Sequence, residues 1–90
     1  MKSGKDESMA SEATLKKQIE QTVGDDHSNW AIGVTDDPAG RKAQLGNPLS
    51  WLQWKADSEQ VARNIKHFFL QKGMKRADGV PSTGHFVYIV

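Results

Sequence analysis

Cysteine is absent from this 90-residue chain, so neither a disulfide nor a thiolate metal site can contribute and the fold must rest on packing alone. That fits a reducing compartment, and the cytoplasm is the expected location. Long apolar runs are also missing. No stretch approaches the roughly 20 apolar residues that span a bilayer, and the N-terminal MKSGKDESMASEA lacks the apolar core of a signal peptide. A membrane is therefore not among the expected partners. The patterns GxGxxG, GxxxxGK[ST] and GxSxG do not occur, which leaves dinucleotide binding, P-loop chemistry and a serine nucleophile elbow without support. The three histidines, His27, His67 and His85, lack HxxxH or HxH spacing and read as surface residues, so no metal and no cofactor is expected.

What is present describes one small domain. A chain of 90 residues has room for one core. A net charge of +1 with 26% charged and 37% hydrophobic residues excludes both a disordered chain and a polyanion-seeking arm. Charge is nevertheless uneven. Residues 1–40 hold four lysines against eight acids, whereas residues 41–76 hold eight Lys or Arg against Asp57 and Glu59. This locally basic middle is compatible with an anionic partner, although helix faces are commonly decorated in this way for solubility.

Residues 1–10 carry too little apolar surface to offset ordering entropy and are expected to be a disordered tail ahead of a single domain at 11–90. From Ser11, Leu15, Ile19 and Val23 recur every four residues up to Gly24, which predicts a first, peripheral helix, followed by a DDHSN loop. Trp30, Ile32 and Val34 alternate with Ala31, Gly33 and Thr35. This is strand spacing with one bulky face and one face open to close approach. Asp36-Asp37-Pro38 then caps a short helix that Gly46-Asn47-Pro48 closes. Leu49 to Ala56 reads as a second strand, with Trp51 the aromatic expected to stay partly exposed. Asp57 and Gln60 have capping-box spacing, and Val61, Ala62, Ile65, Phe68 and Phe69 make the major core helix, stopped by Gly73. A loop, ADGVPSTG, leads to His85–Val90, a strand apolar on both faces and hence central. The expected fold is α+β, a small three-stranded sheet with helices in the order α-β-α-β-α-β, the last strand lying antiparallel beside the first.

One stretch carries chemical information. Ile32-Gly33-Val34-Thr35-Asp36-Asp37-Pro38, with Arg41 following on the short helix, resembles the second half of the GIY-YIG endonuclease domain. Ile32 and Gly33 match the last two letters of the motif, Thr35 and Asp37 fall where the family often has Thr and Asp or Asn, and Arg41 has the family's spacing from the glycine. The aromatic strand with Trp51 and Trp54, and the helix start Asp57-Ser58-Glu59 with Ala62, extend the likeness to about residues 30–70.

The resemblance implies a nuclease scaffold in which two tyrosines, the helix Arg and a Glu on the later helix carry phosphodiester cleavage. Here only Arg41 has a counterpart. Ala31 replaces the tyrosine, with Trp30 beside it lacking a hydroxyl, and Lys66 stands where the metal-binding Glu is expected. Gly84-His85-Phe86-Val87-Tyr88 looks like the family's first strand. If it pairs antiparallel with the Trp30 strand, it places Tyr88 near Arg41 in a rearranged version of the fold. The expected function is thus a non-catalytic module that binds protein or nucleic acid, with Arg41, Lys42, Trp51, Arg63 and Lys66 as candidate contact residues. The alternatives are a divergent nuclease using Arg41 and Tyr88 on DNA or RNA, and a protein-interaction or oligomerisation module built on a free sheet edge.

Overall fold

The computed structural model describes residues 12–77 and 83–90; the expected tail at 1–10 lies outside them. The first helix, α1, spans Glu12–Val23 and buries the three residues of its stripe, Leu15, Ile19 and Val23. A 12-residue helix is marginal alone in water, so these side chains, worth about 1.5–3 kcal/mol each when enclosed, fix it to the domain. A single 3-10 turn at His27–Asn29 fills the loop and leads into β1, Ala31–Thr35. The short helix α2, Pro38–Gln44, starts as expected: Asp37 accepts a hydrogen bond from the Gly40 N–H, and Pro38 occupies the first turn. Next come β2, Leu52–Lys55, and the major helix α3, Glu59–Gln71.

The residue that caps α3 is Ser58, whose Oγ accepts from the Val61 N–H at 3.1 Å. The Asp57–Gln60 capping box is therefore corrected by one residue. Ser58 has the extended backbone a cap requires, whereas Asp57 lies one residue too early to reach the first turn. Gly73, at φ +111°, ends α3 in a conformation that favours glycine.

The α+β class stands, with three α-helices among the described residues, but the sheet has four strands rather than three. The additional strand, β3, is the pair Lys75–Arg76. It runs parallel to β1, with Ala31 opposite Lys75 and Ile32 opposite Arg76. Two exposed basic residues give no apolar alternation, so periodicity cannot reveal them. The last strand, β4, Phe86–Ile89, lies inside the sheet order β2-β4-β1-β3 and is antiparallel to both neighbours. That agrees with its doubly apolar sequence.

Alternation divides the sheet into two faces. Ile32, Val34, Val87 and Ile89 join Leu15, Ile19, Ile65 and Phe69 in one cluster, so α1 and α3 cover this face. The other face carries Gly33 opposite Tyr88 and Gln53 opposite Tyr88. The end of α1 is tied to the end of α3 by Glu20, which meets His27 Nε2 at 2.8 Å and Lys72 Nζ at 3.1 Å. His27, stacked on Phe69 at 6.1 Å, is thus a packing residue and not a free surface histidine. Partial burial pushes the Glu20 pKa up, but the hydrogen bonds from Lys72 and His27 outweigh it and hold the carboxyl below its ordinary value.

Two measurements test these assignments. Ser58→Ala lowers stability by about 1 kcal/mol, a fall in Tm of roughly 4–8 °C, whereas Asp57→Ala stays within about 0.5 kcal/mol of the wild type; thermal denaturation followed by circular dichroism reads both. Because the folded pKa of Glu20 is lowered, its stabilisation is present above the ordinary value of 4.5 and is lost as pH falls through the folded value. Between about pH 5 and about pH 3 the urea midpoint of the wild type therefore falls further than that of Glu20→Gln.

Candidate functional site

The face of the sheet opposite α1 and α3 is organised around Tyr88. Its register partner is Gly33, and a Cβ at Gly33 would stand 2.5 Å from the Tyr88 hydroxyl and 2.6 Å from the ring carbon that bears it. Those distances are far inside van der Waals contact. The open face anticipated at Gly33 thus exists, and the tyrosine ring fills it. Trp51 stacks on the ring with centroids 4.4 Å apart and planes inclined by 11°, and its indole N–H donates to Gln53 Oε1 at 2.8 Å. Tyr88 is fully enclosed and Trp51 only 9% exposed. The expectation of a partly exposed Trp51 is corrected, because stacking on Tyr88 buries more apolar surface than facing solvent would.

Arg41 reaches this pair from α2. Its Nε–H donates to the Tyr88 hydroxyl at 2.9 Å, one terminal nitrogen donates to the Ala77 carbonyl at 3.0 Å and the other to Gln44 Oε1 at 3.1 Å. No residue of α2 is buried, so the guanidinium supplies much of what attaches this helix to the sheet. All three guanidinium nitrogens are therefore engaged by protein acceptors.

At the same end of β1 lies a second polar cluster. The Asp37 N–H donates to Thr35 Oγ1 at 3.0 Å. Asp36 turns the other way: its Oδ1 accepts from the His85 N–H at 3.1 Å and lies 3.2 Å from His85 Nδ1. The hydrogen bonds from the His85 side chain and backbone hold the Asp36 carboxyl below its ordinary value. The other end of β1 borders an open cleft of about 250 Å³ lined by Asp26, Asn29, Trp30, Ser50 and Val90.

The structure brings some of the sequence-derived residues together and separates others. Arg41 and Tyr88 meet, as the antiparallel pairing of β4 with β1 requires. Trp30 does not join them. It packs against the core cluster with Ile32 and Val34 and so cannot stand in for the tyrosine that Ala31 replaces. Lys66 is only 5% exposed, which removes it from any contact surface and corrects its place among the binding candidates. Arg63 is exposed on α3, whereas Lys42 is half-buried on α2. Those two helices are attached to opposite faces of the sheet, so the candidates do not form one basic surface.

Sequence reading missed the exposed leucines. Leu49 is fully exposed, and Leu45 and Leu52 are 39% and 41% exposed. All three lie between the end of α2 and the start of β2, an edge strand. Only the isolated apolar residue in Asn47-Pro48-Leu49-Ser50 hints at this. Compared with known proteins, the chain matches no protein-family model, no curated protein and no solved structure.

The Tyr88 cluster makes a specific prediction for stability. Gly33→Ala costs about 1–3 kcal/mol because the added carbon overpacks the ring, and Tyr88→Phe costs about 1–2 kcal/mol because Arg41 loses its acceptor. Denaturant melts of both variants check this; a Gly33→Ala protein as stable as the wild type would remove the close contact from the account.

Proposed function

We propose that the protein is a non-catalytic, protein-binding module on a scaffold resembling a rearranged GIY-YIG domain, and that it receives an extended polypeptide along β2. The observation that carries the non-catalytic half is the condition of the two candidate reactive groups. A nuclease needs its arginine free to meet phosphate and its hydroxyl open to the scissile group. Here the hydroxyl is enclosed and the guanidinium is bound by three protein acceptors.

Support for a polypeptide partner comes from the surface that is left over. Among the described residues, the large exposed hydrophobics are Leu45, Leu49 and Leu52, in the segment that leads into and begins β2, an edge strand whose outer N–H and C=O groups are available for strand addition. Main-chain pairing supplies affinity in such complexes, and apolar side chains beside the edge supply selectivity. Nucleic acid fits less well, because Trp51 and Lys66 are buried and Lys42 and Arg63 belong to opposite faces.

One observation favours a second reading, a divergent nuclease: Arg41 and Tyr88 are in direct contact at 2.9 Å. That reading requires Arg41 to leave the Ala77 carbonyl and expose Tyr88 when substrate binds. Two experiments separate the readings. Labelled DNA and RNA incubated with the protein and Mg²⁺ or Mn²⁺ remain intact; cleavage that disappears in Arg41→Ala would establish the nuclease. Peptides selected from a displayed random library bind the wild type and lose at least tenfold in affinity to Leu52→Asp, while the Tm of that variant stays within a few degrees of wild type. Peptide binding indifferent to Leu49 and Leu52, together with salt-sensitive binding of nucleic acid, would overturn the protein-binding reading.

A further inference from the structure

We propose that Asp36, Glu59 and His85 form a zinc site with one coordination position open to water. Each residue offers one donor atom, and the three atoms lie within 4.8 Å of one another. One imidazole nitrogen and two carboxylate oxygens form a donor set that Zn²⁺ accepts, at about 2.0–2.2 Å per bond in a tetrahedron whose fourth corner a water takes. Donors around such an ion stand about 3.4 Å apart. Asp36 and Glu59 are exposed, so their side chains can close the remaining distance without disturbing the core.

The backbones that carry these ligands are held independently of any ion. Gly84 packs so closely on Thr35 that a Cβ there would overlap the Thr35 carbonyl and the Asp36 nitrogen. This contact sets His85 beside Asp36. The Ala56 N–H donates to the His85 carbonyl at 2.6 Å, which fixes the start of β4 against the end of β2. Glu59 is the first residue of α3, and the Ser58 cap fixes its backbone. Three segments far apart in sequence are thus brought to one point, as preorganised coordination requires.

Charge favours a cation here. The carboxylates of Asp36 and Glu59 converge on a single imidazole, and neither has a Lys or Arg ion-pair partner among the described residues. A divalent ion balances both carboxylates. The imidazole also selects the metal. Mg²⁺ and Ca²⁺ prefer all-oxygen sets, while Zn²⁺ takes mixed nitrogen and oxygen ligands. The donors come from the β1–α2 turn, the start of α3 and the start of β4, so a bound ion cross-links these segments.

The test is calorimetric titration of the tag-free full chain, stripped with EDTA, with Zn²⁺ and separately with Mg²⁺ and Ca²⁺. One Zn²⁺ binds per chain. His85→Ala and Glu59→Gln each weaken it at least tenfold, while the metal-free variants keep the circular dichroism spectrum of the wild type. Co²⁺ in place of Zn²⁺ gives the intense visible bands of a four-coordinate ion, and His85→Ala loses them. Absence of saturable Zn²⁺ binding, or binding unchanged in both variants, would overturn the site. So would binding that Glu59→Gln weakens and His85→Ala does not, since that is the mark of a carboxylate site without the imidazole.

Discussion

The contact between the Tyr88 ring and the bare backbone of Gly33 governs the arrangement of everything on the second face of the sheet. Were position 33 to carry any side chain, the ring could not lie where it does. Trp51 would then lose the surface on which it stacks, and Arg41 would lose the acceptor that draws α2 inward. A small sheet with both helices α1 and α3 on one face needs something to close the other. Among the described residues there is no second helical layer of comparable size. It closes that face with two aromatic rings and one guanidinium, a solution possible only because a glycine stands in β1 opposite a tyrosine in β4.

Arginine is well suited to this closing role because its planar fork satisfies several acceptors at once without being fully desolvated. From α2 it reaches the Tyr88 hydroxyl and the Ala77 carbonyl, two groups 47 and 36 residues distant in sequence. The same features that make an arginine useful against phosphate therefore make it useful as a tether. Which role it serves depends on what surrounds it, and here three protein acceptors surround it. Motif spacing reports that the strand, turn and helix place an arginine near a glycine. It does not report whether the arginine faces solvent or the protein's own hydroxyl.

Much of the fold was legible because burial imposes period. Leu15, Ile19 and Val23 identify α1, and the doubly apolar β4 identifies an interior strand. Asp37 with Pro38 identifies the start of α2 through turn chemistry alone. Where the structure departs from that reading, packing between distant segments is the cause. The exposed basic pair Lys75–Arg76 becomes a strand only because Trp30 and Ile32 offer carbonyls to the Lys75 and Ala77 N–H groups. Trp51 is enclosed because Tyr88 is there to receive it, and Lys66 is buried although its charge suggests otherwise. The cluster of Asp36, Glu59 and His85 is invisible to spacing rules, since its members lie on three separate segments. The Arg41–Tyr88 contact was legible as a conditional, once β4 was set antiparallel to β1; the enclosure of that contact was not.

The two edges of the sheet differ in a way that bears on what the molecule is for. At one edge β3 is only two residues long, and both are basic, features that discourage pairing with another chain. At the other edge β2 has four residues, and its first residue, Leu52, is exposed, as are Leu49 and Leu45 ahead of it in the chain. Lys55 is the one charged residue on that strand, at its far end from the leucines. A chain under no demand but solubility gains nothing from three exposed leucines in the segment that leads into and begins an unpaired edge strand, because each raises the risk of self-association. One edge is guarded and the other is left open with exposed apolar residues leading into it. That asymmetry is what a strand-adding partner would require, and it is independent of whether the Arg41–Tyr88 face ever opens.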